Sequence, residues 1–453
     1  MNRQLSTGRA EFLSARVPRY TSYPTAPHFH TGINAGTYRT WLEDLTAAQS
    51  LSLYVHVPFC DSLCWFCGCH TRVVHNYAPV ASYLEVLFAE IDAVAALLPA
   101  PRRVRHIHWG GGSPTLLAPD GIGKLAEHLS SRFHVEPEAE FAVEIDPRGL
   151  SDETILALAV AGVNRASLGV QDCDETVQRA INRWQPFEVT RSAAERLRSA
   201  GINRLNVDIM YGLPHQTVPH VERTIETVLT LEPDRLAVFG YAHVPDFKRH
   251  QRLIPEAALP DLGERLRQYD AAQSLLAGNG YVAIGLDHFA RAADPLAVAS
   301  AQGTLRRNFQ GYTTDTADAL IGLGASSIGS LPQGYVQNWP DMPTYRKAVA
   351  SGALPIARGV ALSDEDRIRR AVIERLMCDL SADLDAITTK FDFPPDYFAS
   401  ELASLQPLAK QRIVEISANR LRIDPEMRAV VRLVCAAFDK YLAANNVKHA
   451  VAV

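Results

Sequence analysis

The sequence predicts an α/β protein built around a partial (β/α)6 barrel with parallel strands, an N-terminal arm and a small, mainly helical C-terminal domain. Between residues 51 and 290, short apolar and β-branched runs alternate with amphipathic stretches whose apolar residues recur at three and four positions. This alternation is typical of βαβ units and of a parallel sheet. It fades after about residue 290, and helical patterns dominate from Leu362 onward.

Seven apolar runs predict strands, and the stretches between them predict helices. The predicted strands are Leu51–Val57, Val104–Trp109, Glu140–Ile145, Ala166–Val170, Leu205–Met210, Leu236–Tyr241 and Tyr281–Gly285. The predicted helices are Val80–Leu98, Gly121–Arg132, Asp152–Ala161, Asp174–Asn182, Val189–Ala200, Val218–Leu231 and Leu262–Ala277. About six such units indicate a full or partial barrel, which places its chemistry in the loops after the carboxyl ends of its strands.

The remaining segments divide the chain into an arm over residues 1–45, a barrel over 46–350 and a helical domain over 351–453. The basic and aromatic run Arg16–Tyr23 suggests that the arm folds over the barrel mouth as a lid. Residues 303–340 are rich in Gly, Thr, Ser, Asn and Tyr and predict an ordered loop region. The last domain is predicted to contain helices Asp364–Leu380, Pro395–Leu405 and Pro425–Ala444, with a hairpin within Gln411–Ile423.

Composition and charge exclude several classes of function. The 453 residues are 47% hydrophobic and 21% charged, which is ordinary for a globular protein. The formal net charge of −5 gives no reason to expect nucleic acid or an anionic membrane as a partner. No apolar signal region opens the chain, and apolar stretches end well before the roughly 20 residues that span a bilayer. We therefore expect a cytoplasmic protein without a membrane span.

Four of the seven cysteines, Cys60, Cys64, Cys67 and Cys69, lie in one short loop directly after the first predicted strand. Their C-x3-C-x2-C-x-C spacing predicts a metal site in a reducing compartment rather than a disulfide framework. A zinc site normally needs a second cysteine pair, and ferredoxin clusters have other spacings. The third alternative is a [4Fe–4S] cluster held by Cys60, Cys64 and Cys67, which leaves one iron open. Trp65 and Phe66, which would shield such a cluster, favour this interpretation.

The first three cysteines, with an aromatic residue before the third, resemble the radical S-adenosylmethionine (SAM) superfamily. Further motifs narrow the resemblance to the family of oxygen-independent coproporphyrinogen III oxidases, from about Arg16 to about Tyr441. These motifs are Pro18–Thr25, Tyr54–Cys60, Cys67–Cys69, His108–Thr115, Glu144–Arg148, Leu168–Asp172, Asn206–Pro214, Tyr241–Pro245 and Asn308–Thr314.

The resemblance implies an activity and its cofactors. The family decarboxylates two propionate side chains of coproporphyrinogen III to vinyl groups without O2 and gives protoporphyrinogen IX, in haem and porphyrin biosynthesis. The implied cofactors are a [4Fe–4S] cluster with three Cys ligands and two SAM molecules, one of which yields a 5′-deoxyadenosyl radical that abstracts hydrogen. The implied partners are coproporphyrinogen III and an electron donor such as a flavodoxin or ferredoxin, with the chain acting as a monomer.

The resemblance also implies roles for individual residues. Cys60, Cys64 and Cys67 are the implied cluster ligands, whereas Cys69 is not one. The implied cofactor contacts are Tyr54, Phe66, Gly111, Gly112, Ser113, Glu144, Gln171, Arg183, Asp208, Ala242 and Ile328. Glu144 is assigned to the first SAM, and Ser113, Gln171, Arg183 and Asp208 to the second. Arg19, Phe309 and Gln310 are the candidate substrate contacts, and no catalytic residue is expected beyond the cluster ligands and cofactor contacts.

Two other functions compete with this interpretation. Related proteins with the same barrel and three cysteines are haem-binding chaperones, and others are radical methyltransferases that open haem. The arm segment Arg19–Pro24, the fourth cysteine Cys69 and the loop Asn308–Thr314 favour the decarboxylating enzyme over the chaperone.

Overall fold

The structure is a computed structural model that describes residues 17–442. The first residues of the predicted arm and the end of the predicted helix Pro425–Ala444 lie outside this range. A sheet of 12 strands forms the centre of the described chain. Within these residues, no helix combines the length and the apolar character that crossing a membrane requires.

Six consecutive strands of the sheet run parallel, which confirms the predicted α/β class and the partial barrel. They are β1 (Leu51–Val57), β2 (Arg103–Gly111), β3 (His134–Ile145), β4 (Arg165–Gln171), β5 (Arg204–Tyr211) and β6 (Arg235–Gly240). Parallel strands of this kind are covered on both faces, and β1 is buried along most of its length. Only Tyr54 interrupts the burial of β1.

Helices connect the parallel strands, close to the predicted positions. They are α1 (Ala35–Glu43), which precedes β1, and then α2 (Ala78–Leu97), α3 (Pro119–Arg132), α4 (Asp152–Val160), α5 (Glu175–Ala180), α6 (Phe187–Ser199), α7 (Val218–Leu229) and α8 (Leu262–Gly278). The Ser151 side chain accepts from the Thr154 N–H and so caps α4. All six strands therefore end at one edge of the sheet, where their loops meet.

The predicted seventh strand is present but does not extend the parallel barrel. It forms β7 (Tyr281–Ile284), which pairs antiparallel with β8 (His288–Arg291), and β8 pairs antiparallel with β6. The physical reason is the short connection between β7 and β8, because parallel neighbours need a crossover of a dozen residues or more.

The predicted loop region over residues 303–340 is wrong, because it is mostly strand. After α9 (Pro295–Ala301) come β9 (Arg306–Asn308), β10 (Gly311–Thr313), β11 (Ala319–Leu323), β12 (Ile328–Leu331), β13 (Gly334–Asn338), α10 (Met342–Ala350) and β14 (Ile356–Ala361). These strands are short and contain several glycines. Because glycine has a low propensity for strands, the sequence pattern resembled a loop. β11 pairs parallel with β1, and β12 to β14 continue the sheet antiparallel. The main sheet thus extends past residue 350, while the three-domain division stays a prediction.

The C-terminal region is mainly helical and contains the predicted hairpin. Its elements are α11 (Asp364–Asp379), β15 (Ser381–Asp383), α12 (Leu384–Lys390), α13 (Ala399–Ser404), α14 (Gln406–Lys410), β16 (Val414–Ser417), β17 (Arg420–Ile423) and α15 (Val431–Ala436). The last predicted helix is shorter than expected, since Pro425–Val430 forms a 3-10 helix before α15.

The described part of the arm joins this C-terminal region to the end of the barrel. The Tyr20 hydroxyl donates to Asp439 Oδ2 at 3.1 Å, and the Lys440 N–H donates to the Tyr23 hydroxyl at 3.1 Å. Arg19 Nη2 donates to the carbonyl of Gly240, the last residue of β6, at 3.2 Å. The arm therefore lies across the edge of the sheet where the parallel strands end.

One buried carboxylate ties α2 to the antiparallel half of the sheet. Glu90 accepts hydrogen bonds from the Tyr345 hydroxyl at 2.5 Å, from the Gly324 N–H at 2.8 Å and from Asn338 Nδ2 at 2.5 Å. Burial raises the pKa of Glu90 to about 7 in spite of these three donors.

This shift predicts a pH-dependent contribution to stability. The folded protein holds a proton on Glu90 that the unfolded chain releases near pH 4.5, so stability falls as pH rises from 5 to 7, by up to about 1.4 kcal/mol per unit. We expect urea unfolding of Glu90→Gln to lack this slope. The exposed Glu85→Gln on the same helix is the control and keeps it. Equal slopes in the two variants would contradict the assignment.

Candidate active site

A cavity of about 190 Å3 opens at the edge of the sheet where the parallel strands end. Its walls come from the cysteine loop (residues 58–74) and from the ends of β2 to β5. The structure brings together in this lining the predicted residues Cys60, Cys64, Phe66, Cys67, Gly111, Gly112, Ser113, Glu144, Gln171, Arg183 and Asp208. Residues that are far apart in sequence therefore meet at one place.

The cysteine loop is fixed by hydrogen bonds at both of its ends. The Arg72 N–H donates to the Pro58 carbonyl at 2.8 Å, and the Val74 N–H donates to the Cys60 carbonyl at 3.1 Å. These bonds return the chain beside its own starting point. The loop is thus closed by its own backbone.

Side chains from other loops hold the middle of the cysteine loop through its carbonyl oxygens. After β6, Lys248 Nζ donates to Cys69 at 2.9 Å, His250 Nε2 contacts Cys67 at 2.8 Å and Gln251 Nε2 donates to Phe66 at 3.0 Å. After α5, Asn182 Nδ2 donates to Leu63 at 2.9 Å, and the Ile181 carbonyl accepts from the Trp65 N–H at 2.9 Å. The positions of the thiols are therefore set by elements at the far side of the barrel.

The thiols in this loop differ in their electrostatic surroundings. Burial, together with the neighbouring thiols, raises the pKa of Cys60 to about 12. Hydrogen bonds from Cys69 lower the pKa of Cys67 to about 6. Within residues 17–442, no three His, Cys, Asp or Glu side chains converge closely enough for one metal ion. A [4Fe–4S] cluster does not require this, because each of its cysteine ligands binds a different iron.

Two arginines lie against the buried thiol of Cys64. Arg183 Nη1 approaches its sulfur at 3.5 Å and Arg148 Nη2 at 3.7 Å. The same two guanidinium groups bind Asp146 Oδ2, at 3.1 Å and 2.6 Å respectively. Asp146 and Arg148 were not singled out from the sequence, although they directly follow Glu144 in the motif Glu144–Arg148.

Two partly buried carboxylates, Glu144 and Asp208, face the same cavity and differ in pKa. Glu144 accepts from His108 Nε2 at 3.1 Å and from the Gly111 N–H at 3.0 Å, and these bonds outweigh burial and lower its pKa. Burial, and then the charge of Glu144, raise the pKa of Asp208 to about 6 although Ser167 Oγ donates to it at 3.1 Å. At neutral pH Glu144 is firmly ionised, and Asp208 loses its proton near pH 6.

The glycine run at the end of β2 lies directly against the cysteine loop. The Gly112 N–H donates to the Val57 carbonyl at 2.9 Å, and the Ser113 N–H donates to the Phe59 carbonyl at 2.6 Å. A Cβ atom on Gly112 would lie 2.4 Å from the Phe59 oxygen, and Gly111 has a φ of 107°. Only glycine permits this approach of the two backbones.

Three predicted cofactor contacts lie outside the cavity lining. Tyr54 stacks on His108 with ring centroids 5.8 Å apart, so it supports the partner of Glu144. The Ala242 carbonyl accepts from Gln251 Nε2 at 3.2 Å, and Ile328 begins β12. The assignment of these residues to a cofactor stays a prediction.

Two of the candidate substrate residues belong to a turn beside a second cavity. Phe309 lines this cavity of about 160 Å3 between the arm, β9 and α11, and it packs edge-on against Tyr335 at 5.7 Å. Gln310 donates its N–H to Asn308 Oδ1 at 2.9 Å.

Four arginines from distant segments converge near the ends of β5 and β6, and only Arg19 was predicted. Arg265 Nη2 donates to the Tyr241 carbonyl at 2.9 Å, while Arg307 lies 4.3 Å over the ring of Tyr312. Burial, and then the charge of Arg19, lower the pKa of Arg432 to about 10. No motif signals this group, because its members come from the arm, α8, β9 and α15.

Comparisons with known proteins agree with this architecture. Residues 54–228 match the radical SAM superfamily. The chain is 50% identical over 438 residues to the oxygen-independent coproporphyrinogen III oxidase of Bradyrhizobium diazoefficiens, with 97% of each chain covered. It is 45% identical to the protein of the same name from Cereibacter sphaeroides, with 96% of this chain and 97% of that protein covered.

A solved structure is similar over almost the whole chain. It is the coproporphyrinogen III oxidase of Escherichia coli, described as a radical SAM enzyme. The TM-score is 0.90 at 38% identity, and the match covers 94% of this chain and 100% of that one.

The close contact at Gly112 predicts that adding one methyl group there lowers the stability of the protein. We expect Gly112→Ala to lower the unfolding free energy of the cluster-free protein by about 2 kcal/mol, because the added carbon displaces backbone atoms of the cysteine loop. Gly123→Ala in α3 is the control, since nothing lies within 4 Å of a Cβ atom there. Chemical denaturation measures both. If the two variants were equally stable, the backbones of Gly112 and Phe59 would not be in tight contact.

Proposed function

Because this chain belongs to the oxygen-independent coproporphyrinogen III oxidases of the radical SAM superfamily, we propose that Cys60, Cys64 and Cys67 ligate its [4Fe–4S] cluster and that the cavity beside them forms part of the binding site for two SAM molecules. The protein is an oxidoreductase of porphyrin biosynthesis. It converts two propionates of coproporphyrinogen III to vinyl groups without O2, giving protoporphyrinogen IX.

The observation that supports this site best is the shared cavity of the cysteine loop, the glycine run, Glu144 and Asp208. Thiols suit iron, and the open backbone at Gly111 and Gly112 admits a ligand close to the strand end. The two carboxylates suit the amino, hydroxyl and sulfonium groups of SAM. The same cavity therefore offers thiols for the iron of the cluster and carboxylates for the polar groups of SAM.

The cysteine loop prepares its three thiols for iron. Cys60 needs the charge of a metal to lose its proton, because burial disfavours its thiolate. Arg148 and Arg183 lie against the sulfur of Cys64, so their charges would help to set the potential of a bound cluster. A cluster held by these thiols would, when reduced, supply the electron for the cleavage of SAM.

Each of the two carboxylates is assigned to a different SAM molecule. Glu144 is held ionised by His108 and the Gly111 N–H, so it is fit to bind the amino group of the first SAM. Asp208, with Ser113 and Gln171 in the same lining, is assigned to the second. The Arg183 guanidinium contacts Asp146 and the sulfur of Cys64. In its proposed contact with the second SAM, the same guanidinium would therefore also contact the cysteine loop.

The four arginines at the ends of β5 and β6 are the proposed partners of the substrate carboxylates. The substrate carries four propionates, and guanidinium groups bind carboxylates with paired hydrogen bonds. Bound carboxylates would also relieve the repulsion between Arg19 and Arg432 that the lowered pKa of Arg432 reflects. Arg19 brings the arm into this group, which fits a lid, and Phe309 and Gln310 would contact the macrocycle.

The remaining partners follow from the chemistry. The cluster needs a one-electron donor such as a flavodoxin or ferredoxin. A cluster with thiolate ligands is stable in a reducing compartment, so we propose a cytoplasmic location. The monomeric state stays a prediction.

The enzyme is favoured over a haem-binding chaperone. Similarity to the named oxidases extends over the arm and the C-terminal region as well as the barrel. Anaerobic incubation of the reconstituted protein with SAM, a reductant and coproporphyrinogen III tests the choice by chromatography. Vinyl products support the enzyme, whereas 5′-deoxyadenosine without vinyl products rejects it.

The ligand set makes a prediction for single cysteine variants. Cys60→Ser, Cys64→Ser and Cys67→Ser should each abolish the brown cluster absorbance after reconstitution, together with the activity. Cys69→Ser should keep at least part of the cluster, because Cys69 is not a ligand. Iron analysis and visible absorbance measure both. Complete loss of iron from Cys69→Ser would overturn the three-ligand assignment.

The raised pKa of Asp208 predicts how binding of the second SAM depends on pH. Protonation below about pH 6 removes the negative charge that would hold a sulfonium or ribose. Equilibrium dialysis of the reconstituted protein should give two bound SAM at pH 7.5 and fewer at pH 5.5, with cluster absorbance confirming that the site is intact. Asp208→Asn should bind fewer than two at both pH values. A stoichiometry of two in that variant would exclude the role.

The arginine group predicts a defect in substrate binding. We expect Arg265→Ala to raise the KM for coproporphyrinogen III about tenfold or more, as the loss of a charged hydrogen bond implies. Cluster content and SAM cleavage without substrate should remain. Arg267→Ala, on the same helix with a side chain 64% exposed, is the control. An unchanged KM for Arg265→Ala would place the propionates elsewhere.

A further inference from the structure

Two surface segments flank the cysteine loop on its outer side, and together we call them the donor face. One is residues 247–253, which follows β6 and donates side-chain hydrogen bonds to the carbonyls of the loop. The other is residues 179–184, which follows α5 and is bonded to the loop at Leu63 and Trp65. Any molecule bound to these segments lies next to the loop that carries the thiols.

The donor face exposes large apolar side chains that the fold does not need there. Phe247 is 62% exposed, Leu253 is 55% exposed and Trp184 is 46% exposed. Clustered exposed apolar groups with a polar rim mark protein-binding surfaces rather than ordinary solvent-facing ones. The surroundings of the cysteine loop therefore have the character of an interface.

The rim of this face is basic although the chain as a whole is acidic. Lys248, Arg249 and Arg252 fall within six residues of Phe247, and Arg249 and Arg252 are exposed. On the other segment, Arg179 stacks over Trp184 at 4.6 Å and pairs with Glu175 at 2.6 Å, so the basic character comes mainly from residues 248–252. The chain carries a formal net charge of −5, so the positive charge of this patch is opposite to that of the chain as a whole. Such a patch attracts an acidic partner and speeds its association.

A direct path joins the face to a proposed cluster ligand. His250, which lies between the two exposed arginines, contacts the Cys67 carbonyl through Nε2 at 2.8 Å. One hydrogen bond and the atoms of one residue therefore connect the segment to the sulfur of Cys67. An electron that enters here needs to cross little protein.

We propose that the donor face is the docking site for a small acidic one-electron redox protein. This inference rests on the proposed function, which requires one electron at the cluster for each SAM cleaved. In the step, the reduced donor loses one electron and the oxidised cluster gains it, so a flavin hydroquinone becomes a semiquinone and [4Fe–4S]2+ becomes [4Fe–4S]+. No bond to the protein forms or breaks.

The experiment compares two reductants on the reconstituted full chain. The first is a purified acidic flavodoxin in its hydroquinone form, and the second is photoreduced 5-deazariboflavin, which is small and uncharged. The variants are Arg249→Glu combined with Arg252→Glu, and Phe247→Ser alone. Lys410→Glu, an exposed site on α14, is the matched charge-reversal control. Stopped-flow bleaching of the cluster gives the reduction rate, and calorimetry gives the Kd for flavodoxin at low and high salt.

We expect the double charge reversal to slow reduction by flavodoxin about tenfold or more at low salt, with a matching rise in Kd and a loss of the salt dependence. Phe247→Ser should weaken binding at both salt concentrations. Reduction by deazariboflavin and the behaviour of Lys410→Glu should equal wild type. Unchanged flavodoxin rates and Kd values would overturn the proposal, as would equal slowing with both reductants. Wild type that is reduced normally yet forms no vinyl product would instead reject the proposed function.

Discussion

The positions of the three thiols depend on hydrogen bonds that the cysteine loop receives from the opposite side of the barrel. Most of this loop forms neither helix nor strand, and fixing such a segment in one conformation costs entropy. The carbonyls of Leu63, Phe66, Cys67 and Cys69 each receive a side chain from a loop after α5 or β6. These hydrogen bonds tie the loop across the mouth of the barrel and fix its backbone.

Most charged groups in this mouth lie beside a partner of opposite charge. Arg148 and Arg183 share Asp146 and face the sulfur of Cys64, while Glu144 is held by His108. Such arrangements keep ions inside a low-dielectric site, because each charge keeps a partner when water is excluded. Asp208 is the exception with a raised pKa, and it is the group that a cationic cofactor would stabilise most.

The sequence alone predicted most of the parallel barrel and the helical C-terminal region, but not the antiparallel strands between them. Strands such as Leu51–Val57 are buried on both faces, so their apolar runs show where they begin and end. The strands between Ala319 and Ala361 are short and each contains a glycine, and their pairing depends on the edge that β1 and β11 offer. In the site, motif residues at strand ends were predictable, since parallel strands share an edge. The arginines near β5 and β6 were not, because four separate segments bring them together.

The central claim is that three cysteines hold a four-iron cluster and leave one iron for SAM. Mössbauer spectroscopy of the protein reconstituted with 57Fe, recorded with and without SAM, tests it most directly. The account predicts that SAM shifts the signal of one iron in four, to values of higher coordination, and that Cys69→Ser shows the same shift. Four irons with signals that SAM leaves unchanged would contradict it.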